Sequence, residues 1–370
     1  MHSRHIFLAI ATALPLLAST AAAQGNAHLD TRADSLWTEQ HADTKASMRG
    51  LSVVSDNVAW ASGTGGTYLW TSDGGMHWHV GAVPGAASLD FRDVHAVSLD
   101  TAYVMAAGQD TARIYRTTDR GAHWTLQYEN LEKGAFLDAI AFFDPRHALA
   151  LGDPIGGHFL LLRTDDAGAH WTRVPTDAVP AALDGDGAFA ASGTALVTCG
   201  PRDAWFATGG AAISRVFRST DAGRSWHVSA TPVHSGNAAG IFSIACSDAR
   251  HAVVVGGNYA KPDTSVVVAA VTRDGGASWT ASPAASVAGF FSDVAIIRGA
   301  ATPVFIAVGT EGTALSRDAG AHWARLDALS INTVAIAPGR GARRIWGVGA
   351  RGRIVTIDRS RAARLLLNPR

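Results

Sequence analysis

The sequence predicts an all-β protein, a seven-bladed β-propeller with repeated Asp-containing turns and a ring closed by the N-terminal strand. One eight-residue turn motif recurs six times, at intervals of roughly 50 residues. A short apolar run that ends in glycine recurs seven times. The chain between these features is rich in β-branched and turn residues. Units of this length, with four short strands each, are typical of propeller blades.

The turn motif reads Ser/Thr-x-Asp-x-Gly-x-x-Trp, as in Thr71-Ser-Asp73-Gly-Gly75-Met-His-Trp78, and we call it the box. We expect each box to join the third and fourth strands of a blade. The Asp side chain can accept hydrogen bonds from turn N–H groups, the Gly supplies a positive φ, and the Trp buries its ring between sheets. A structural role is therefore predicted for the box aspartates, which are Asp73, Asp119, Asp166, Asp221, Asp274 and Asp318.

The glycines that end the apolar runs indicate seven blades rather than six. They are Gly63, Gly108, Gly152, Gly209, Gly256, Gly309 and Gly349. No complete box follows Gly349, but Thr356-Ile-Asp358 stands at the spacing where a seventh box belongs. Leu36-Trp37-Thr38 resembles the Trp-Thr pairs at the ends of two boxes. It is predicted to supply the outer strand of blade seven, so that no strand edge stays open.

The two ends of the chain differ from the repeats. Residues 1–23 carry an apolar run, Ile6 to Leu17, followed by Ala21-Ala22-Ala23, which predicts a cleaved signal peptide. Residues 24–35 are predicted to be a linker, 36–360 the propeller, and 361–370 a basic C-terminal tail. The mature chain contains no apolar stretch long enough for a membrane span. We therefore expect a periplasmic or secreted protein.

Composition argues against several function classes. The net charge is zero, so the chain lacks the basic field that nucleic-acid binding needs. No dinucleotide-binding glycine fingerprint and no Cys-x-x-Cys occurs, so no cofactor and no oxidoreductase activity are expected. Four histidines precede box tryptophans but belong to different blades, so no metal site is predicted. They are His77, His123, His170 and His322.

The two cysteines, Cys199 and Cys246, occupy matching positions in adjacent units. Matching points on neighbouring blades usually lie beyond the roughly 7 Å Cα separation that a disulfide allows. A secreted location permits a disulfide, but the spacing favours two buried thiols.

Extra residues in the loops of blades three to five point to a binding site. These loops belong to the face opposite the boxes, and polar loops on a rigid scaffold are where function usually concentrates. The candidate binding residues are Asp153, His158, Asp184, Asp186, Phe189, Ser192, Asn258, Tyr259, Lys261 and Asp263.

A second group of polar residues stands at the starts of inner strands, near the mouth of the central channel. It comprises Arg92, Asp93, Asp138 and Asp293. Such acids can bind a cation or a cationic side chain, or they can accept hydrogen bonds from backbone amides where the strands begin. The sequence leaves both roles open.

The boxes and the blade pattern, such as Gly63-Thr-Gly-Gly66-Thr-Tyr-Leu-Trp-Thr71-Ser-Asp73-Gly-Gly75, resemble the Asp-box (bacterial neuraminidase repeat) propellers. The short blades look most like the photosystem II stability/assembly factor type. The resemblance covers residues 36–358. It implies a scaffold that holds a protein partner on one face, here a partner in the cell envelope.

The alternative from another class is a carbohydrate-binding protein or a glycoside hydrolase. Sialidases resemble the repeat, but their Phe-Arg-Ile-Pro motif is absent, and the nearest match is Phe91-Arg92-Asp93-Val94. Another hydrolase would need two carboxyl groups roughly 5 to 9.5 Å apart. Asp153, Asp186 and Asp263 are the candidates for such a pair. We favour a binding role over an enzymatic one.

Overall fold

Seven four-stranded antiparallel sheets make up the protein, which confirms the predicted seven-bladed β-propeller. The structure, a computed structural model, describes residues 36–108, 111–283, 289–339, 341 and 343–367. The predicted signal peptide (1–23) and linker (24–35) lie outside these residues. In each of the first six blades the chain runs outward through four consecutive strands, with the first strand nearest the central channel.

The first four blades are regular in their connectivity. Blade one contains β2 (Met48–Val53), β3 (Ala59–Gly63), β4 (Thr67–Thr71) and β5 (His79–Ala82). Blade two contains β6 (Asp90–Ala96), β7 (Ala102–Gly108), β8 (Thr111–Thr117) and β9 (Thr125–Asn130). Blade three contains β10 (Leu137–Phe142), β11 (Ala148–Ile155), β12 (His158–Thr164) and β13 (Thr172–Arg173). Blade four contains β14 (Leu196–Cys199), β15 (Asp203–Ala207), β16 (Arg215–Ser219) and β17 (His227–Ala230).

The last three blades complete the ring. Blade five contains β18 (Ala239–Cys246), β19 (Ala252–Asn258), β20 (Ala269–Thr272) and β21 (Thr280–Ala281). Blade six contains β22 (Asp293–Ile297), β23 (Val304–Gly309), β24 (Gly312–Ser316) and β25 (Ala324–Asp327). Blade seven contains β26 (Thr333–Ile336), β27 (Ile345–Val348), β28 (Ile354–Ile357) and β1 (Thr38–Gln40). In the part of the chain that the structure describes, the 3₁₀ turns Thr176–Ala178 and Ala350–Gly352 lie outside the sheets.

The N-terminal strand closes the ring. Strand β1 pairs antiparallel with β28, with Thr38 opposite Thr356 and Gln40 opposite Ile354. The Trp37 indole N–H donates to Thr313 Oγ1 of blade six over 3.0 Å, so this Trp bridges two blades. Both ends of the chain therefore share one sheet, and neither leaves an unpaired outer strand on blade seven.

The core is divided among the blade interfaces. Among the described residues, seven clusters of buried apolar side chains each join two adjacent blades. A blade thus buries both faces of its sheet against its neighbours, which explains why the second strand of most blades is almost wholly apolar. Propeller stability is distributed around the ring, and the axis itself is left for polar groups.

The box turns have the same hydrogen bonds in six blades. In blade one, Thr71 Oγ1 donates to Asp73 Oδ1 (2.9 Å) and accepts the Gly75 N–H (3.0 Å). The His77 N–H donates to Asp73 Oδ1 (3.0 Å), and the His77 ring lies 2.7 Å from Asp73 Oδ2. These bonds, the His77 N–H first, lower the pKa of Asp73 to about 2. Gly75 has φ 83°, and a Cβ there would strike Gln40. The Asp73 carboxylate and the His77 ring therefore stabilise the box turn.

The two cysteines form a disulfide, so the expectation of two thiols is wrong. Cys199 and Cys246 end the innermost strands β14 and β18, and their Cα atoms are 6.2 Å apart. Adjacent blades converge towards the channel and diverge towards the rim, so the distance between matching residues depends on how far they lie from the propeller axis. Both cysteines lie on innermost strands, where this distance is short. The bond joins blades four and five at the place where they are closest.

The predicted basic tail begins instead within a helix, α1 (Arg359–Leu365). The Asp358 side chain accepts a hydrogen bond from the Arg361 N–H and caps this helix. Ala362 and Leu365 are buried in the cluster between blades six and seven. The aspartate at the degenerate seventh box thus begins a helix rather than a hairpin turn. The described residues include no helix with the length and apolar character needed to traverse a bilayer.

Candidate functional site

The candidate site lies at the mouth of the central channel, on the face opposite the box turns, which we call the site face. The long crossing between blades three and four enters the channel there. We call residues 186–194 the channel segment. Most of its residues are buried, although it belongs to no strand.

The channel segment is held by backbone and side-chain hydrogen bonds from several blades. Gly187 and Gly209 exchange two backbone hydrogen bonds of 3.0 Å at its start. Ser192 Oγ donates to the Ser292 carbonyl (2.9 Å), and Thr194 Oγ1 donates to Asp293 Oδ1 (2.6 Å). Both acceptors belong to blade six or its approach. The segment therefore crosses the channel and forms a floor beneath the mouth.

Above this floor is a cavity of about 560 Å³ with one aromatic wall. Phe189 of the channel segment stacks on Phe242 of β18, with ring centroids 3.9 Å apart and an interplanar angle of 10°. Phe290 meets Phe242 edge-on at 4.7 Å. Tyr259 completes the wall and is 54% exposed. Four aromatic rings from three parts of the chain thus form one apolar surface that opens to solvent at Tyr259.

The remaining lining of the cavity is charged. Arg49 of β2, Arg92 of β6, Asp138 of β10 and Asp153 of β11 all contribute to it. Arg92 is neutralised by Asp90, since its Nε lies 2.8 Å from Asp90 Oδ2. Arg49 forms no salt bridge with any described residue, and its Nε is buried without a hydrogen bond. Burial, and then repulsion from Arg92, lowers its pKa. The cavity is therefore amphipathic, with both signs of charge beside an aromatic wall.

Three acids stand where inner strands begin near the channel, but they have different partners. Asp93 and Asp293 occupy equivalent positions, and Asp138 stands one residue earlier, at the bulge position that Arg92 has in blade two. Asp93 Oδ2 accepts the Ile140 N–H of blade three (2.7 Å), and Asp293 Oδ2 accepts the Val334 N–H of blade seven (2.8 Å). Each thus holds the inner strand of the following blade. Burial raises the pKa of both carboxyls to about 7. Of the two roles that the sequence left open, Asp93 and Asp293 therefore have the second: they accept hydrogen bonds from backbone amides.

Asp138 is the exception among the three. It is completely buried, and neither carboxyl oxygen makes a hydrogen bond of ordinary geometry with a described residue. Burial raises its pKa well above the ordinary value, and the Asp153 carboxyl adds to the shift. Arg92 and the Ala190 N–H oppose the shift. A buried carboxyl without partners is unfavourable for folding, so Asp138 is the residue at this level of the channel that the fold does not explain.

Asp153 stands beside Asp138 in the same cavity. Its Oδ1 accepts the Ala188 N–H of the channel segment at 3.1 Å. Burial raises its pKa to about 6, the Ala188 N–H opposes this shift, and the Asp186 carboxylate adds to it. Its Oδ2 makes no hydrogen bond that the described residues account for, and it is not fully enclosed. Asp153 therefore presents an oxygen to the cavity, with Asp138 behind it.

Five predicted site residues line this one cavity: Arg92, Asp138, Asp153, Phe189 and Tyr259. Two others belong to the fold. Asp186 is buried against the Arg215 guanidinium, and Ser192 is bonded to blade six. Neither is available to a ligand, which corrects the prediction for both. Their polarity stabilises the crossing between blades rather than a bound molecule.

The remaining predicted residues lie outside the cavity. Asn258 accepts the Ala260 and Lys261 N–H groups and shapes the β19–β20 loop. His158 begins β12, and it is half-buried with Nδ1 unbonded. Asp184, Lys261 and Asp263 are exposed on loops. The trio proposed for hydrolysis, Asp153, Asp186 and Asp263, is therefore not assembled, because only Asp153 reaches the cavity.

Several lining residues were not predicted from the sequence. They are Arg49, Phe136, Phe242, Phe290, Ser292, Thr310 and Asn332, with the small residues Ala188, Ala190 and Ala191. The available signal was the register of the inner strands. Arg49 stands one residue before the strand position that Asp93 occupies in blade two, just as Arg92 does. Phe242 stands at the same bulge position in blade five, and Phe290 precedes the inner strand of blade six as Phe136 precedes that of blade three.

A second cavity, of about 620 Å³, lies in the channel on the box face. Its lining includes the disulfide, the end of β14 and the inner strands of blades five to seven. It is larger, but it contains no buried acid without partners among the described residues. Nor do those residues contain any group of three or more His, Cys, Asp or Glu side chains suited to a metal ion.

No protein-family model matches the chain, and no curated protein matches it. Solved structures are similar in fold. "YCF48 bound to D1 peptide" superposes with a TM-score of 0.62 at 15% identity, covering 88% of this chain and 97% of that one. YCF48 from Cyanidioschyzon merolae gives 0.59 at 15% identity, covering 88% and 100%. An ancestral GH74 enzyme gives 0.58 at 12% identity, covering 87% of this chain and 46% of the enzyme. At these identities the likeness establishes the propeller fold alone.

Proposed function

We propose that this propeller binds a protein partner by taking a short peptide segment into the cavity of the site face. The observation that carries the proposal is the cavity itself. Its aromatic wall and its charged wall are contributed by blades one to three, blade five, the approach to blade six and the channel segment. A concave apolar surface with a few polar groups is the usual form of a ligand site.

The size and exposure of the aromatic wall fit a peptide. Tyr259 is exposed on the rim, whereas Phe242 and Phe290 are 3% and 5% exposed behind it. Aromatic side chains that are apolar at one end and accessible at the other are frequent in protein interfaces. A solved structure of similar fold, YCF48, is described as bound to the D1 peptide, so a propeller of this kind can hold a peptide.

We also propose that the mature protein acts outside the cytoplasm, as an assembly or scaffold protein of the Asp-box type. Residues 1–23 have the pattern of a cleaved signal peptide. The Cys199–Cys246 disulfide supports this, because disulfides persist mainly in oxidising compartments. N-terminal sequencing of the protein from cell fractions tests it. A mature form that begins near Gln24 in the periplasm or medium is expected, and an uncleaved cytoplasmic protein would contradict it.

The test of peptide binding begins with panning a random heptapeptide phage library on the purified protein. The selected peptides are then measured by fluorescence anisotropy with wild type, Tyr259→Ala and Met76→Ala. Met76 is the matched control, since it is 75% exposed but belongs to a box turn. We expect Tyr259→Ala to weaken binding at least about tenfold and Met76→Ala to leave it unchanged. Failure to select any peptide, or equal loss in both variants, would contradict the proposal.

A glycan is the second candidate ligand. Asp138 and Asp153 share the cavity, both carboxyls have raised pKa values, and sugar rings stack on aromatic side chains. A glycan array distinguishes the two ligand classes. Binding or cleavage of a defined glycan that is lost in both Asp153→Asn and Tyr259→Ala would favour this candidate over the peptide.

A further inference from the structure

The cavity contains one feature that a purely apolar peptide would leave unsatisfied. Asp138 is completely buried, and neither of its oxygens makes a hydrogen bond of ordinary geometry with a described residue, although the Ala190 N–H and the Arg92 guanidinium lie near enough to oppose its raised pKa. The neighbouring Asp153 has one oxygen for which the described residues provide no hydrogen-bond partner. Two carboxyls at one place repel each other when ionised, and burial adds to this penalty. Both penalties favour the protonated carboxyls and raise the pKa of Asp138 and of Asp153.

We propose that the Asp138–Asp153 pair receives a cationic group of the ligand, a lysine ammonium or an arginine guanidinium, while the residue beside it lies on the aromatic wall. This inference rests on the proposed peptide binding and specifies its chemistry. A cation between the carboxyls supplies the hydrogen-bond donors that Asp138 lacks and compensates both negative charges. The bound peptide thus contains a basic residue adjacent to an aromatic or aliphatic one.

The other charges around the cavity do not supply this cation. Arg92 attracts the Asp138 carboxyl, but its direct contacts are with Asp90 and with the Ala190 carbonyl, at 2.8 and 3.3 Å. Arg49 is drawn to Asp90 and repelled by Arg92. The channel segment contributes only alanine and phenylalanine side chains to the cavity lining. Among the described residues, therefore, no basic side chain forms a salt bridge with Asp138 or Asp153.

Release of protons from the two carboxyls on ligand binding gives an independent test of the cation site. The pKa of Asp153 is raised to about 6, and that of Asp138 is raised as well. A bound cation favours the ionised carboxyls, so binding at pH 6 should release protons to the buffer. Affinity for a basic peptide should rise as the pH increases from 5 to 7, because the carboxyls lose protons while lysine keeps its charge.

The experiment uses the tightest peptide from the phage selection and a copy with each Lys or Arg replaced by norleucine. Isothermal titration calorimetry at pH 6, in two buffers of different ionisation enthalpy, gives affinity and proton release together. We expect the norleucine copy to bind at least about tenfold more weakly and to release no protons. Asp153→Asn should remove most of this difference, and Asp263→Asn, an exposed acid outside the cavity, should preserve it.

The outcomes separate this inference from the proposal on which it rests. Selected peptides without basic residues, or equal affinity of the two copies, would overturn the cationic assignment and leave peptide binding intact. Absence of any selected peptide would contradict both. Proton release is measured on the wild type, so the result does not depend on whether the variants fold.

Discussion

The two faces of this propeller use carboxyl groups in opposite ways. On the box face, six aspartates have closely similar surroundings, with a His ring beside four of them and a Ser hydroxyl beside Asp221 and Asp274. The pKa is lowered in every case because each carboxylate accepts several hydrogen bonds. At the channel and the site face, the acids that begin inner strands are buried, and their pKa values are raised. Their partners differ from one blade to the next.

In a repeat protein, structural residues can be distinguished from candidate functional residues by comparing the same position in every blade. A residue that every blade has, with the same partners, serves the blade. Function is expected where the repeat is broken. Asp138 is an acid at the bulge position where blades one and two have Arg49 and Arg92, and unlike the acids one position later in blades two and six it does not hold the next blade. The departure of one member from its own repeat is more informative than the chemical type of the residue.

The largest effect is expected where an acid near the site face does have a partner. Asp186→Ala leaves the Arg215 guanidinium buried without its carboxylate. Loss of one partner of a buried ion pair destabilises a protein by roughly 3–5 kcal/mol. Urea unfolding followed by circular dichroism measures this. Asp184→Ala, an exposed acid in the same crossing, is the control and should change stability by less than about 0.5 kcal/mol.

The disulfide should contribute somewhat less. Replacing both Cys199 and Cys246 by serine frees a loop of 47 residues in sequence separation, and removal of such a bond is expected to cost about 2–4 kcal/mol. Reduction of the wild type with dithiothreitol should lower the urea midpoint to that of the double variant. Unchanged stability after complete reduction would show that the packing of blades four and five suffices without the bond.

A box aspartate should have a smaller effect with a characteristic pH dependence. Asp73→Ala removes the acceptor of the turn hydrogen bonds and should cost on the order of 1 kcal/mol. The folded pKa of Asp73 is lowered to about 2. Its contribution is therefore complete above about pH 4 and is lost as the pH falls towards 2. Unfolding curves of wild type and variant should converge at low pH, and a constant difference would contradict this account.

Asp138 should have the smallest effect on stability, and its pH dependence should have the opposite sign. Its folded pKa lies above the ordinary value, so the folded state holds a proton that the unfolded chain releases above about pH 4. Wild-type stability should therefore fall as the pH rises from 4, and less steeply in Asp138→Asn. At pH 7 the variant should lose no stability. A clear loss would mean that the carboxylate serves the fold after all.

The fold was accessible from sequence because its determinants are local and repeated. Each box contains its own acceptor, its own glycine and its own Trp, and the glycines that end the apolar runs fix the number of blades. Closure of the ring by the N-terminal strand could also be predicted, because Trp37 matches the box Trp that precedes the outer strand of other blades. The convergence of the inner strands could not be predicted, because the repeat in the sequence does not show how far each residue lies from the propeller axis. The Cys199–Cys246 disulfide was therefore missed.

The site was only partly accessible for the same reason. Extra loop residues indicated the face on which the aromatic cavity lies, and Phe189 and Tyr259 of these loops line that cavity. The opposing wall comes from blades one to three, across the channel, and no local pattern joins Arg49 to Tyr259. Asp186 and Asp138 look alike in sequence. Asp186 is paired with the buried Arg215 guanidinium, and Asp138 has no such partner among the described residues. This difference depends on the path of the channel segment, which the sequence does not reveal.

Photo-crosslinking tests the central claim, that peptide binds in the cavity of the site face, most directly. p-Benzoylphenylalanine is placed at position 259 or, as the box-face control, at position 76, and each protein is irradiated with the library-selected peptide. The account predicts a crosslink from position 259, mapped by mass spectrometry, and none from position 76. A crosslink from position 76 alone, or equal yields from both positions, would contradict it.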